Sequence, residues 1–208
     1  MPPLRLTEVR DRLSAMFLPG SLTGVILGSA LVAAFIATLI IILVTRSRPR
    51  TAALLAAAIL IVTSLVAAAM VPAAAPLALT IPLALLGVAV ALLGGDPAAR
   101  RVLALASNSM VREGPNGGIL LRTPAATIEP APEVMRGGVT IGYLERTAVV
   151  LAIIVGYPEA IAVVVAIKGI ARFTELGTPE ARERFIIGTL ASLGWACVVA
   201  ATVHLSMG

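Results

Sequence analysis

Apolar runs of membrane length, separated by short polar clusters, set the pattern of this chain. Ser21–Thr45 is long enough to cross a hydrocarbon core of about 30 Å with some tilt. Thr51–Val71 reads as a second span, rich in alanine. Pro76–Leu93 reads as a third and shorter one, with Pro82 inside it, where a kink is expected. Phe185–Leu205 reads as the last. Ahead of them, residues 1–20 carry Arg5, Glu8, Arg10, Asp11 and Arg12, with Val9, Leu13, Met16 and Phe17 at helical spacing. That pattern fits either a short interfacial helix or a polar lead-in to the first span.

Between the third and last spans the pattern changes. Residues 94–138 form a long, mildly polar connection punctuated by Pro97, Pro115, Pro124, Pro130 and Pro132. Its PNGG (Pro115–Gly118) ahead of ILLR predicts a turn feeding a short extended piece. Val139–Phe173 then holds two short apolar stretches divided by GYPEA. Gly156 can end a helix, Pro158 suits the first turn of the next, and Glu159 complements that helix's positive end. Each apolar half spans only roughly 12–15 Å, so neither crosses comfortably unless Arg146 and Lys168 snorkel. A re-entrant hairpin and a pair of short, tilted helices both fit. The expected fold is therefore all-α and polytopic, with four transmembrane helices plus a charged helical hairpin, making five to six membrane helices.

Composition makes the lipid reading firm. Hydrophobic residues make up 59% of the 208, and only 13% are charged, about half the share of a soluble domain. A net charge of +5 would suggest nucleic acid in a soluble protein, but aromatic content is 3% and the arginines flank apolar spans. Nucleic-acid binding is not expected. Membrane lipids, with anionic ones favoured by the basic flanks, are the expected partners. A membrane protein partner or a second copy is the other partner considered. The Ser21–Thr45 run exceeds the roughly 7–15 residues of a signal-peptide core, so it is expected to stay as a transmembrane helix.

Charge also orients the spans. Arg46, Arg48 and Arg50 occupy the first connection, the second around Pro72–Ala75 is uncharged, and the third is rich in cations. Counting positive charge puts the first and third connections in the cytoplasm. A hairpin at Gly156 returns Lys168, Arg172, Arg182 and Arg184 to that side, whereas a single kinked span would put them outside. The hairpin is preferred. It leaves the amino terminus outside, where Arg5, Arg10 and Arg12 run against the rule.

Two small-residue patterns suggest close helix packing: Gly20, Gly24 and Gly28, and Gly188, Ser192, Ala196 and Ala200. Packing within the chain is expected before dimerisation. The candidate site is a charged cluster of Glu145, Arg146, Lys168, Arg172 and Glu183, all at the edges of apolar stretches. Ionisable groups at membrane depth are costly and tend to be paired. Lys168 and Arg172 share a helix face and would repel unless an acid intervenes. The bland reading has these charges locking helices together; the functional one makes them a vestibule for an ion, a phosphate-bearing lipid or a partner.

No metal or cofactor is expected. His204 is the only histidine, which removes two-histidine metal sites, bis-histidine haem ligation and most Ser-His-acid arrangements. No phosphate-binding loop is present. Cys197, the sole cysteine, lies within an apolar run and reads as a small hydrophobe.

The tail carries a resemblance. Gly138, Ile141–Gly142 and Leu144–Arg146, then Ala166, Lys168 and Arg172–Phe173, then Glu183, Phe185 and Ile187–Leu190 spell G-x-x-IG-x-LER, A-x-K-x-x-x-RF and E-x-F-x-IGTL. This resembles the C-terminal tail of a family of uncharacterised bacterial integral membrane proteins. The resemblance implies a multi-pass protein of the bacterial plasma membrane and brings no activity with it. This chain departs from the family pattern at Gly169 and in lacking a His- and Asp-bearing first helix. The expected role is a non-enzymatic accessory or scaffold subunit of a membrane complex. A small transporter or channel using the turn Gly156, Pro158 and Glu159 is the first alternative. A lipid-modifying enzyme drawing a general base from Glu145, Glu159 or Glu183 is the second.

Overall fold

A computed structural model describes residues 19–45, 51–71, 73–106, 112–113, 119–120, 138–172 and 177–208. The interfacial helix considered for residues 1–20 lies almost wholly outside the described residues, as do Arg46, Arg48 and Arg50. Among the described residues six α-helices account for nearly everything: α1 (Pro19–Thr45), α2 (Thr51–Met70), α3 (Leu77–Ala106), α4 (Gly138–Ile154), α5 (Ala160–Arg172) and α6 (Pro179–Met207). Two-residue strands β1 (Arg112–Glu113) and β2 (Ile119–Leu120) pair antiparallel, so Ile119 and Leu120 are extended, while the PNGG turn before them lies outside the described residues. Four helices, α1, α2, α3 and α6, are long and apolar enough to cross a membrane. The chain is an all-α polytopic membrane protein.

One boundary differs from the sequence reading. The third apolar helix does not stop at Leu93 but continues through Gly94, Gly95, Asp96 and Pro97 to Ala106. Gly-Gly-Asp-Pro normally punctuates a chain. Here Pro97 removes the amide that would donate to the Leu93 carbonyl, yet the helix runs on past it. The two glycines serve close packing against other helices instead of a turn.

α3 and α6 form the centre. They pack most extensively on one another, with α1 and α2 along one side and α4 along the other. Phe35, Leu83, Val90, Val149, Ala196, Val199, Ala200 and Val203 are fully buried at these contacts. Between helices in lipid there is little hydrophobic drive, so small residues that bring backbones together matter more. Gly87 faces Val203, and Gly94 faces the Trp195 ring, whose Nε1 donates to the Val90 carbonyl at 3.0 Å. The outer faces carry exposed Ile26, Ile40, Ile59, Val62, Ile81 and Leu85, as a lipid-facing surface requires. Hydroxyls in the spans bond back within their own helices: Thr38 to the Ala34 carbonyl, Ser64 to Leu60 and Thr202 to Val198.

The two ends of the bundle are distinct. At one, the Ala75 amide donates to the Ser206 carbonyl at 2.9 Å, tying the α2–α3 connection to the last turn of α6. The amino-terminal part of α1 joins them. A Cβ on Gly24 would overlap the Ala74 carbonyl oxygen, and one on Gly28 would lie 2.9 Å from Ala75 Cβ. Those two glycines thus pack within the chain, while Gly20 falls outside the residues whose surroundings are described. At the opposite end, α6 starts on a capped turn: the Thr178 hydroxyl accepts from the Ala181 amide at 3.2 Å and Pro179 follows.

Candidate functional site

The sequence puts Glu145 and Arg146 side by side on α4, and a helix turns about 100° per residue, so their side chains part company. Glu145 faces α5 and forms an ion pair with Lys168 Nζ. Lys168 also lies 6.0 Å from the Phe185 ring centroid, which links α5 to the start of α6. Arg146 points the other way, into the bundle. Its Nη1 donates to Asp96 Oδ1 on α3 and to Ser192 Oγ on α6, both at 2.8 Å.

Arg146 therefore does not snorkel. It is 1% exposed, against 30% for Asp96. The small residues around it make that burial possible. A Cβ on Gly95 would overlap Arg146 Cδ, and one on Gly142 would sit 3.4 Å from Nη1. The Tyr143 ring centroid lies 5.2 Å from Cζ, an aromatic neighbour for Nε and Nη2, which have no hydrogen-bond acceptor. A single guanidinium thus joins α3, α4 and α6. Arginine cannot escape by losing its proton, so its acceptors must stay in place.

The five-residue cluster read from sequence accordingly divides. Glu145 and Lys168 make one unit, and Arg146 makes another with Asp96 and Ser192, neither of which was assigned to it from the sequence. Ser192, expected only as a packing residue, is buried and takes part in the polar contact. Gly188, its neighbour in the pattern, faces Leu103 Cδ1 at 3.3 Å. Arg172 lies beside Gly138 at the start of α4. Glu183 is exposed on the second turn of α6. Asp96 was missed because it was placed in a connection. The signal that could have found it is a lone acid at the end of an apolar helix, level with a cation on another.

The turn between α4 and α5 is built as its residues suggest. Gly156 takes φ +82°, and the Tyr157 amide reaches the Ala152 carbonyl at 2.7 Å while the Gly156 amide reaches Ile153 at 3.0 Å. This is the six-to-one and five-to-two pairing of a Schellman helix end. Pro158 follows, and the Ile161 amide donates to its carbonyl at 3.0 Å as α5 begins. Glu159 is exposed.

Two cavities open near the Arg146 unit. The larger, about 510 Å³, is lined by Thr45 of α1, Leu54 of α2, Asp96, Arg100 and Arg101 of α3, and Tyr143 of α4. The smaller, about 320 Å³, is an apolar groove between α2, α3 and α6, walled by Leu55, Val62, Val102, Gly194, Trp195 and Val198. Ile42, Leu54 and Arg101 belong to both walls. Among the described residues no three histidine, cysteine or acidic side chains converge as a metal site. Cys197 is half-buried and His204 exposed in the last turn of α6. Comparison with family models, curated proteins and solved structures finds nothing that this chain matches.

Proposed function

We propose that this chain is a non-enzymatic component of a bacterial plasma membrane, an accessory or scaffold subunit of a larger assembly. One observation carries the reading: the acidic groups inside the bundle are spent on joining helices. Glu145 holds Lys168, and Arg146 holds Asp96 and Ser192. An acid–base catalyst needs a carboxylate free to move a proton. The one acid that lines the larger cavity, Asp96, already carries the Arg146 bridge. Gly156, Pro158 and Glu159 line neither cavity, which speaks against transport through that turn.

The resemblance of the tail to bacterial integral membrane proteins supports the same placement. So does the charge pattern. The α2–α3 connection and the carboxy-terminal turn of α6 lie at one end, which charge counting puts outside. Glu145, Lys168 and Arg172 then approach the cytoplasmic boundary on a charged hairpin, α4 and α5. No residue of α5 is buried, so its outer face is available to neighbours in the membrane.

The test is the mass of the particle taken from native membrane in polymer discs. A complex of fixed stoichiometry, heavier than the 21.2 kDa chain, is expected. Replacing Ile167 and Ile170, on the exposed face of α5, with alanine should release the chain from it at unchanged membrane levels. Isolated single chains in the wild type would refute the proposal.

A further inference from the structure

We infer that the larger cavity and the apolar groove beside it together seat one phospholipid with an anionic headgroup. Its phosphate would lie on Arg101, and one acyl chain would run between α2, α3 and α6. This goes beyond the scaffold reading and does not depend on it.

Charge comes first. The larger cavity brings Asp96, Arg100 and Arg101 to one wall. Asp96 is neutralised locally by Arg146, so it does not cancel the Arg101 guanidinium, which gives the cavity a cationic side. Basic pockets between membrane helices at the cytoplasmic side suit anionic headgroups, and guanidinium matches phosphate oxygens in shape. Arg101 Nε is buried and has no hydrogen-bond partner, a donor that the fold itself does not satisfy. Tyr143 of α4 lines the cavity as well.

The apolar half follows. Arg101 stands where the polar cavity meets the groove, as a residue must if it is to hold a headgroup above a chain. The groove continues over Leu55, Val62, Val102 and Val198, and Gly194 leaves its floor bare, with no atom within 4 Å of where a Cβ would stand. A free phosphate would fill only the polar end. The adjoining apolar furrow is what selects a lipid.

Trp195 is the only tryptophan and lines the groove, so it reports a chain lying there. Lipid-depleted protein in nonionic detergent is titrated with phosphatidylglycerol or phosphatidylcholine carrying brominated chains, which quench tryptophan on contact. Saturable quenching by the glycerol lipid, about tenfold tighter than by the choline lipid, is expected for one charge-assisted contact. Arg101→Gln should equalise the two lipids. Gly194→Leu, whose Cβ meets nothing within 4 Å and whose branch projects into the furrow, should abolish quenching by both. Equal quenching in the wild type reduces the groove to ordinary boundary lipid and overturns the inference. So does a preference that survives Arg101→Gln, or quenching that survives Gly194→Leu. If inorganic phosphate displaces the brominated phosphatidylglycerol at equal concentration, the ligand is a free phosphate and the lipid assignment falls.

Discussion

Replacing Asp96 with leucine strands the Arg146 guanidinium. The side chain is 1% exposed and would keep only Ser192 as an acceptor among the described contacts. Removing one partner of a buried ion pair costs roughly 3–5 kcal/mol, because the remaining charge stays desolvated. The reverse substitution is milder. Asp96 is 30% exposed and lines a cavity, so after Arg146→Met it can meet water. Its loss is set by hydrogen bonds to a charged group, roughly 1–3 kcal/mol. With both replaced, the apolar pair fills the gap without an orphaned charge, and the double variant should lie within about 1 kcal/mol of the wild type. The order of stability is therefore wild type and double variant, then Arg146→Met, then Asp96→Leu. Reversible unfolding in mixed micelles with rising dodecyl sulfate measures it. Trp195 fluorescence is the signal, since the ring packs on Gly94 beside the Gly95–Arg146 contact. If the double variant loses the sum of the single losses within about 0.5 kcal/mol, the two residues are uncoupled and the reasoning fails.

Three further outcomes follow from the packing. Gly94→Ala places a Cβ 2.6 Å from Trp195 Cε2, so it should weaken the Trp195–Val90 bond, shift the emission maximum and cost about 1–3 kcal/mol; unchanged emission would contradict the contact. Gly169→Ala meets nothing within 4 Å in mid-helix and should gain up to about 1 kcal/mol in the same titration, whereas a loss would place a neighbour there. At Gly156, with φ +82°, alanine should cost about 1–2 kcal/mol and asparagine clearly less; equal stability of all three would remove the left-handed turn.

Element type was legible along most of the chain because lipid leaves the backbone few options: an apolar run of twenty residues must be helical. The helix end at Gly156 was legible for a local reason, since glycine and proline act on their own backbone. The end of α3 was not. Gly94 and Gly95 look like punctuation, but their lack of side chains is used by Trp195 and Arg146, which lie 101 and 51 residues away in sequence. The same blindness divided the charged cluster. The sequence grouped Glu145 with Lys168 but did not pair them, and the two meet across the turn between α4 and α5. It could not say that Arg146 turns inward, because its acceptors come from α3 and α6 and only tertiary packing brings them there.

The position of α6 has a consequence for biogenesis. It lies at the heart of the bundle yet leaves the ribosome after every other described helix. Until it enters the bilayer, α3 has no partner for its most heavily packed face, and the hydroxyl of Ser192 has yet to arrive beside the guanidinium. Helices α1 to α3 can dock early through Gly24 and Gly28 on the Ala74–Leu79 segment. The seam between α3 and α6 is complete only once that last helix has taken its place.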